Sequence, residues 1–461
     1  MRIKYIIPAI LAAALTAASA CPLYSAEYSL EDAVRLALDN ASELKQQRLI
    51  LHKSKSEIKR ARSPFYPKLD FSFIAGYTSS SMQYSSMYQK LYLYDESTYQ
   101  KISPPEFVLY PVTFLSRGNG VESYTARFTF SQPIFTWGKL KGAYRVSQLQ
   151  SGIEEKNLTK QELEIKYQVA QLFYTVLLTD RLISVMEESI RQLEAHIKNT
   201  EILYEAGVVQ RYDLLRAKVQ LTSLRPNLVK LKNTREMTLK SFARVTGTPL
   251  DGEFILKGAL EYLPDSFDKT ALTEKMLSGR PELQVLEDQK KVTEQLLKIQ
   301  KAGNKPTLAL AGTYQYQGGG GGTLSGRSND EWKDDWNASL SFSLPIFNGF
   351  ETRSSVQKVK DDISTLSENI SNIKRLLVIE LETAFSQLGE SEDMIVAQNE
   401  NVLQAKEGLE LANIQYAEGV LSSIEVLDAE VSLSKARSDY YNAVYNYIMA
   451  RAKIRKLTGE L

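Results

Sequence analysis

The chain of 461 residues has one cysteine and two histidines. A lone thiol excludes a disulfide framework and a cysteine-based zinc site, and two histidines argue against a His-rich metal centre. Neither charge sign dominates: 56 Lys and Arg face 55 Asp and Glu, a net charge of +1. A nucleic-acid binder would show a basic excess or stripe, so no nucleic-acid partner is expected. No nucleophile–base pair or metal constellation stands out, so no catalysis, metal or cofactor is expected. Proline and glycine are sparse, 14 and 24, which predicts long regular elements. Beyond the first twenty residues there is no run of ~18 uncharged apolar residues, so no membrane-spanning helix is expected. A β-barrel stays open, because its strands are nearly invisible to hydropathy. The chain is not disordered: 43% of residues are hydrophobic and 24% charged.

Residues 1–20 read as a signal peptide. Arg2 and Lys4 precede an apolar run over 5–18, and Ala18-Ser19-Ala20 supplies the small residues a signal peptidase needs. The only cysteine, Cys21, follows directly. Two readings remain: a lipobox in which Cys21 is acylated, or ordinary cleavage after Ala20.

The chain then repeats itself. TEILYEAG at 200–207 matches ANIQYAEG at 412–419, an offset of 212 residues (416 against 204). That register runs from SQPIF and SLPIF, starting at Ser131 and Ser343, to Thr246-Gly247 and Thr458-Gly459. Upstream the offset is 239: Leu44 matches Leu283, Pro67 matches Pro306 and Tyr77 matches Tyr316. The first half therefore carries 27 extra residues (239 against 212) between Tyr77 and Ser131. This predicts a tandem duplication rather than a short solenoid repeat. The first repeat spans 21–250, a connecting, equatorial segment spans 251–280, and the second repeat spans 281–461.

Each half reads helix, strand, loop, strand, long helix, turn, helix. Ser29 caps the first helix with Asp32 three residues on, and that helix is expected to reach about Arg62. Strands are predicted over 69–78, 121–131, 308–317 and 336–344. Each alternates an aromatic or apolar face with a polar one, for example Trp336, Ala338, Leu340 and Phe342 against Asn337, Ser339 and Ser341, with Ile74 as the exception. Long helices are predicted over 139–206 and 351–418. Val356, Val359, Ile363, Leu366, Ile370, Ile373 and Leu377 follow the coiled-coil spacing, as do Ile183, Met186, Ile190, Leu193 and Ile197. Gly207 and Gly419 mark hairpin turns after which an amphipathic helix returns.

Four strands per chain cannot close a barrel, and open edges cannot sit in lipid. Three chains supply 12 strands and a sealed cylinder, so C₃ assembly is the natural expectation. The fold class is an α+β membrane protein: a trimeric 12-stranded β-barrel continued by a long α-helical coiled-coil barrel.

SLEDAVRLALDNASEL at 29–44, ARSPFYPKLDFS at 61–72, SQPIF with Gly138, SLPIF with Gly349, the two Tyr-x-x-Gly turns and the stretch 416–454 together resemble TolC-type outer membrane efflux proteins. The resemblance covers essentially the whole mature chain. It implies a homotrimeric exit duct in the outer membrane of a Gram-negative bacterium, with its helical barrel in the periplasm and lipid around its strands. It implies a periplasmic adaptor (a membrane fusion protein) and an inner-membrane pump of RND or ABC type as partners. It also implies no catalysis. The rival reading is a periplasmic coiled-coil scaffold or adhesin with a small β-domain, which has no need of a complete aromatic strand face.

The resemblance further implies a periplasmic aperture at the helix tips. The matching residues are Asp213, Tyr416, Leu421, Glu425 and Asp428, beside the turns at Gly207 and Gly419. In relatives the Tyr bonds the first-repeat Asp, and a turn Arg makes a salt bridge to it. Leu421 stands where that Arg would be, which puts the salt bridge in doubt and leaves a Tyr416–Asp213 hydrogen bond. Asp213, Glu425 and Asp428 can equally be helix-start acids that complement the macrodipole, and Tyr416 can equally be heptad packing in phase with Leu409. Gly318–Gly322 and the tyrosine-rich stretch 82–110 read as external loops, and Trp332 and Trp336 suit a membrane-interface girdle.

Overall fold

The computed structural model describes residues 26–78, 83–92, 107–116, 121–250, 254–318 and 332–460. The expected signal peptide, Cys21 and residues 319–322 of the glycine run lie outside them. The chain divides into two compact units, one of residues 1–56, 148–293 and 361–461, the other of residues 57–147 and 294–360.

Strands are β1 (Ala26–Tyr28), β2 (Lys68–Thr78), β3 (Gln83–Tyr92), β4 (Phe107–Ser116), β5 (Val121–Phe135), β6 (Phe254–Leu256), β7 (Thr307–Gly318) and β8 (Lys333–Ser343). Helices are α1 (Leu30–Asn40), α2 (Ser42–Arg62), α3 (Lys139–Glu205), α4 (Arg211–Thr246), α5 (Lys269–Gly279), α6 (Pro281–Lys301), α7 (Glu351–Ala417) and α8 (Ser423–Thr458). The offset of 239 maps α1 onto α5 and α2 onto α6, residue for residue. The offset of 212 does the same for α3 onto α7 and α4 onto α8.

Two expectations for the helical segments change. The first helix is two helices, because Ala41 leaves the helical region with ψ 127. The break lets Ala33, Ala37, Ala41 and Leu44 pack together against Phe242 and Val245 of α4 and Ile165, Val169 and Phe173 of α3. The segment 251–280 is not only a connector, since it contains α5, capped by the Asp268 carboxylate on the Thr270 and Ala271 N–H groups. Helix α3 holds an 18-residue window of mean hydropathy 1.3, but Asp180 and Arg181 interrupt it and no uncharged run of that length is present in the helix. Its Val169, Phe173, Val176, Leu177 and Leu178 are buried inside the first unit, so packing accounts for its composition.

In the first unit the connector is stapled to α8. The Tyr447 hydroxyl, fully buried, donates to the Leu263 carbonyl at 2.9 Å and accepts from the Asp265 N–H at 3.0 Å. The Asp265 carboxylate takes Arg451 at 3.0 Å and Arg455 at 2.9 Å. Strand β6 pairs in parallel with β1, tying the connector to the start of the described chain. The core joins Leu377, Leu381, Leu388 and Ile395 of α7 to Val444, Ile454 and Leu457 of α8. The α3–α4 hairpin carries a ladder of ion pairs, Glu201–Lys218, Glu194–Arg225 and Glu187–Lys232, at 2.6, 3.3 and 2.8 Å. The acids recur every seven residues, the coiled-coil period. Asn413, Lys406 and Asn399 occupy the equivalent places on α7, so the second hairpin has no such ladder.

In the second unit β2, β5, β7 and β8 form one antiparallel sheet in that order. Pairing Leu69 with Phe130 in the first half repeats as Leu308 with Phe342 in the second, the same register under the two offsets. One face collects the row Phe71, Phe128, Tyr314 and Trp336. The other collects Ser72, Arg127, Gln315 and Asp335. Ile74 is the apolar exception on the polar face, partnering Thr125. Strand β5 runs past the expected end at 131, with an irregularity between Pro133 and Phe135; proline cannot donate to a ladder, and bulges absorb it. The longer first-half segment between Tyr77 and Ser131 contains a separate hairpin, β3 with β4, where a loop was expected. Both strand-to-helix turns use two successive left-handed residues, Trp137-Gly138 and Gly349-Phe350. The glycine shifts by one place, so Gly138 is equivalent to Phe350, not to Gly349.

Candidate functional site

The two helical turns have the same construction. At the first, the Gly207 N–H reaches the Tyr204 carbonyl at 3.0 Å and the Val208 N–H reaches the Leu203 carbonyl at 2.9 Å. At the second, Gly419 reaches Tyr416 at 3.0 Å and Val420 reaches Gln415 at 2.9 Å. These are Schellman closures, which satisfy the last helical carbonyls and require a left-handed residue. Gly207 and Gly419 supply it with φ of 69° and 73°.

The acids begin the returning helices. Glu425 is exposed, and its carboxylate accepts from the Ser422 N–H at 2.9 Å and the Ser422 hydroxyl at 2.8 Å. The backbone bond first and the hydroxyl second hold the Glu425 carboxyl below its ordinary range. Asp213 is half-buried in the first turn of α4, and Asp428 is exposed on α8. Leu421 packs with Leu409, Val426 and Tyr416. Leu421 is thus an apolar contact within this cluster.

Tyr416 does not meet Asp213 within the chain. Its hydroxyl lies 3.3 Å from Thr200 Oγ1. Thr200 is fully buried and donates to the His196 carbonyl at 2.9 Å, so the Tyr416 hydroxyl donates to Thr200. The expected Tyr416–Asp213 bond is replaced because α7 leans on α3 here, and the Tyr416 ring lies 5.1 Å from the His196 ring. His196 Nε2 is 2.8 Å from Ser423 Oγ at the start of α8. Burial lowers the His196 pKa and keeps the ring neutral.

Sequence reasoning passed over this buried group and also Glu430, which is 9% exposed. Burial pushes the Glu430 carboxyl up to about 7, and among the described residues no cation pairs with it. Its helical spacing from Ser423 and Leu433 was a usable signal, since i, i+3 and i+7 share one face. A groove of about 530 Å³ opens between α7 and α8 beside Leu421 and Glu425. Among the described residues no cluster of acids, His or Cys could hold a metal ion.

The family model described as outer membrane efflux protein matches residues 33–248 and 272–460. Outer membrane protein TolC of Escherichia coli is 24% identical over 356 residues, covering 74% of this chain and 71% of that protein. The alkaline protease secretion protein AprF of Pseudomonas aeruginosa is 22% identical, covering 74% and 70%. The Campylobacter jejuni CmeC outer membrane channel superposes with a TM-score of 0.73 at 19% identity, covering 94% of this chain and 85% of that one. With the family model spanning both halves and all the long helices, the chain belongs to the outer membrane efflux protein family and resides in the outer membrane with its helices in the periplasm.

Proposed function

We propose that the chain is the outer membrane exit duct of a tripartite efflux or type I secretion system, working as a homotrimer. The observation that carries this is the sheet. Strands β2 and β8 are its two edges, and one face of all four strands is aromatic or apolar, with Leu340 64% and Trp336 72% exposed. Such a sheet is stable in lipid only if its edges are paired. Three copies give 12 strands, an even number within the range of closed barrels, and C₃ symmetry closes them. The apolar exposure of Tyr212, Leu215, Val219, Leu403 and Ile414 on α4 and α7 supports further interchain packing.

The matched helices and register support a tandem duplication, so three chains make six similar hairpins. A periplasmic adaptor joins the duct to an inner-membrane pump, RND or ABC type, and the pump supplies the energy. The relatives include a TolC and a protease secretion protein, which supports transport without catalysis. Asp213, Glu425, Asp428, Leu421 and Tyr416 form the periplasmic aperture around the turns at Gly207 and Gly419, and Cys21, if acylated, adds a lipid anchor. The test is native mass measurement of detergent-extracted protein together with planar-bilayer conductance. Three chains and a discrete conductance are expected. A monomer without conductance overturns the reading.

A further inference from the structure

The second unit holds an uneven charge that neither the sheet nor the tip uses. Its helical ends, residues 57–62, 139–147, 294–301 and 351–360, hold eleven Lys and Arg against three acids, Glu57, Glu294 and Glu351. The whole chain is at +1, so this concentration is local. The two halves place cations at the same sites: Lys59 and Lys298, Arg62 and Lys301, Lys141 and Arg353. All six are exposed.

Helix electrostatics explains only some of them. Cations at the C-terminal ends of α2 and α6 suit the macrodipole. Those at the start of α3 and α7 oppose it, and α3 has no acid in its first turn. Something outside the helix must favour positive charge there.

Between these helix ends and the strands lies an exposed apolar band. Phe350 is 63% and Phe347 74% exposed, and Phe65 and Trp137 are exposed in the other connections between helices and strands. Cations reach onto this band. The Lys305 ammonium is 5.5 Å from the Trp137 ring, and the Arg62 guanidinium is 5.6 Å from the Tyr66 ring. Aromatic rings settle at the headgroup level of a bilayer, and flanking cations attract anionic lipid. A phosphate-level band of rings followed within one or two helical turns by a basic band matches a leaflet surface in both polarity and charge.

We propose that this junction is a collar that binds anionic phospholipid headgroups of the periplasm-facing leaflet in preference to zwitterionic ones. The proposal rests on the outer membrane location. It is tested on the full-length protein with Trp332→Phe and Trp336→Phe, so that Trp137 is the remaining tryptophan of three. The protein is placed in phosphatidylethanolamine vesicles that contain either brominated phosphatidylglycerol or the same fraction of brominated phosphatidylethanolamine. Brominated phosphatidylglycerol should quench Trp137 with at least about threefold higher apparent affinity, and about 0.5 M NaCl should largely abolish the difference. Combining Lys141→Gln, Arg353→Gln, Lys298→Gln and Lys301→Gln should abolish it too.

Equal quenching by the two lipids overturns the collar, as does a preference that salt leaves unchanged. The salt titration needs no collar variant, so misfolding of the quadruple variant does not remove the test. Equal quenching together with salt-sensitive retention on purified cell-wall sacculi would assign the cations to an acidic wall polymer instead. Failure to enter vesicles at all would overturn the membrane reading itself, and the collar with it.

Discussion

His196 Nε2 lies 2.8 Å from Ser423 Oγ, and this bond joins α3 to the first turn of α8 beside the packing of Leu193 and Ile197 with Leu427. Both residues are nearly inaccessible, at 6% and 4% exposure. Ser423→Ala leaves a buried ring nitrogen without its partner, a loss of about 1–3 kcal/mol. The thermal midpoint followed by circular dichroism at pH 7.5 should fall by several degrees, and an unchanged midpoint would show that the pair is not holding the helices together.

His196 and Glu430 give opposite pH dependences. The folded pKa of His196 is depressed below 6.5, so the unfolded chain takes up its proton first. The contribution of His196 is present above 6.5 and lost as pH falls below it. The folded pKa of Glu430 is raised from 4.5 to about 7, so its contribution is complete below 4.5 and lost as pH rises through about 7. Glu430→Gln should therefore stabilise the protein at pH 8 by up to a few kcal/mol and change little at pH 4.5. His196→Gln should flatten the loss between pH 6.5 and 5. Denaturant midpoints across that range decide it, and parallel curves for parent and variants would reject both assignments.

The heptad ladder on the α3–α4 hairpin should be worth little per pair. Glu187, Glu194 and Glu201 are partly exposed. Converting all three to Gln should cost about 1–2 kcal/mol in total at low salt and much less near 1 M NaCl. A loss independent of salt would mean that packing of the side-chain stems, not charge, is what the ladder supplies.

Leu340 and Ser339 are neighbours on opposite faces of β8, opposite Leu310 and Ala311 of β7 respectively. Leu340→Arg puts a cation on the aromatic face and should impair assembly by about 2–4 kcal/mol per chain. Ser339→Arg on the polar face should assemble more nearly as the parent does. Heat-modifiable migration in membranes reads the difference, and equal defects would contradict the assignment of faces.

At the proposed aperture, Asp213, Glu425 and Asp428 supply three carboxylates per chain. Like charges gathered in a ring attract cations. In planar bilayers, Glu425→Ala with Asp428→Ala should lower cation selectivity and relieve block by multivalent cations. Tyr416→Phe removes the donor to Thr200 and should raise conductance if α7 must stay on α3 to close the tip. Unchanged selectivity would place the two acids outside the aperture, and unchanged conductance would reduce Tyr416 to heptad packing.

Local pattern carried a large share of this protein. Period-2 alternation located all four strands of the main sheet to within a few residues, because each strand has one face that must leave water. The seven-residue spacing and Gly207 and Gly419 located the long helices and their turns, because a left-handed closure admits few other residues. The offsets of 212 and 239 relate the pairing of Leu308 with Phe342 to that of Leu69 with Phe130, once the structure gives either one. Ala41 was missed because alanine has no helix-breaking chemistry of its own.

What tertiary structure alone decided is which polar group meets which. Tyr416 has Thr200 and His196 as neighbours, Leu421 packs inward, and Glu430 is buried while its counterpart Lys218 pairs with Glu201 in the open. Sequence determines the period of a helix and the face it buries. The burial of a single carboxylate depends on how far a second helix, hundreds of residues away, leans across it, and no local pattern records that distance.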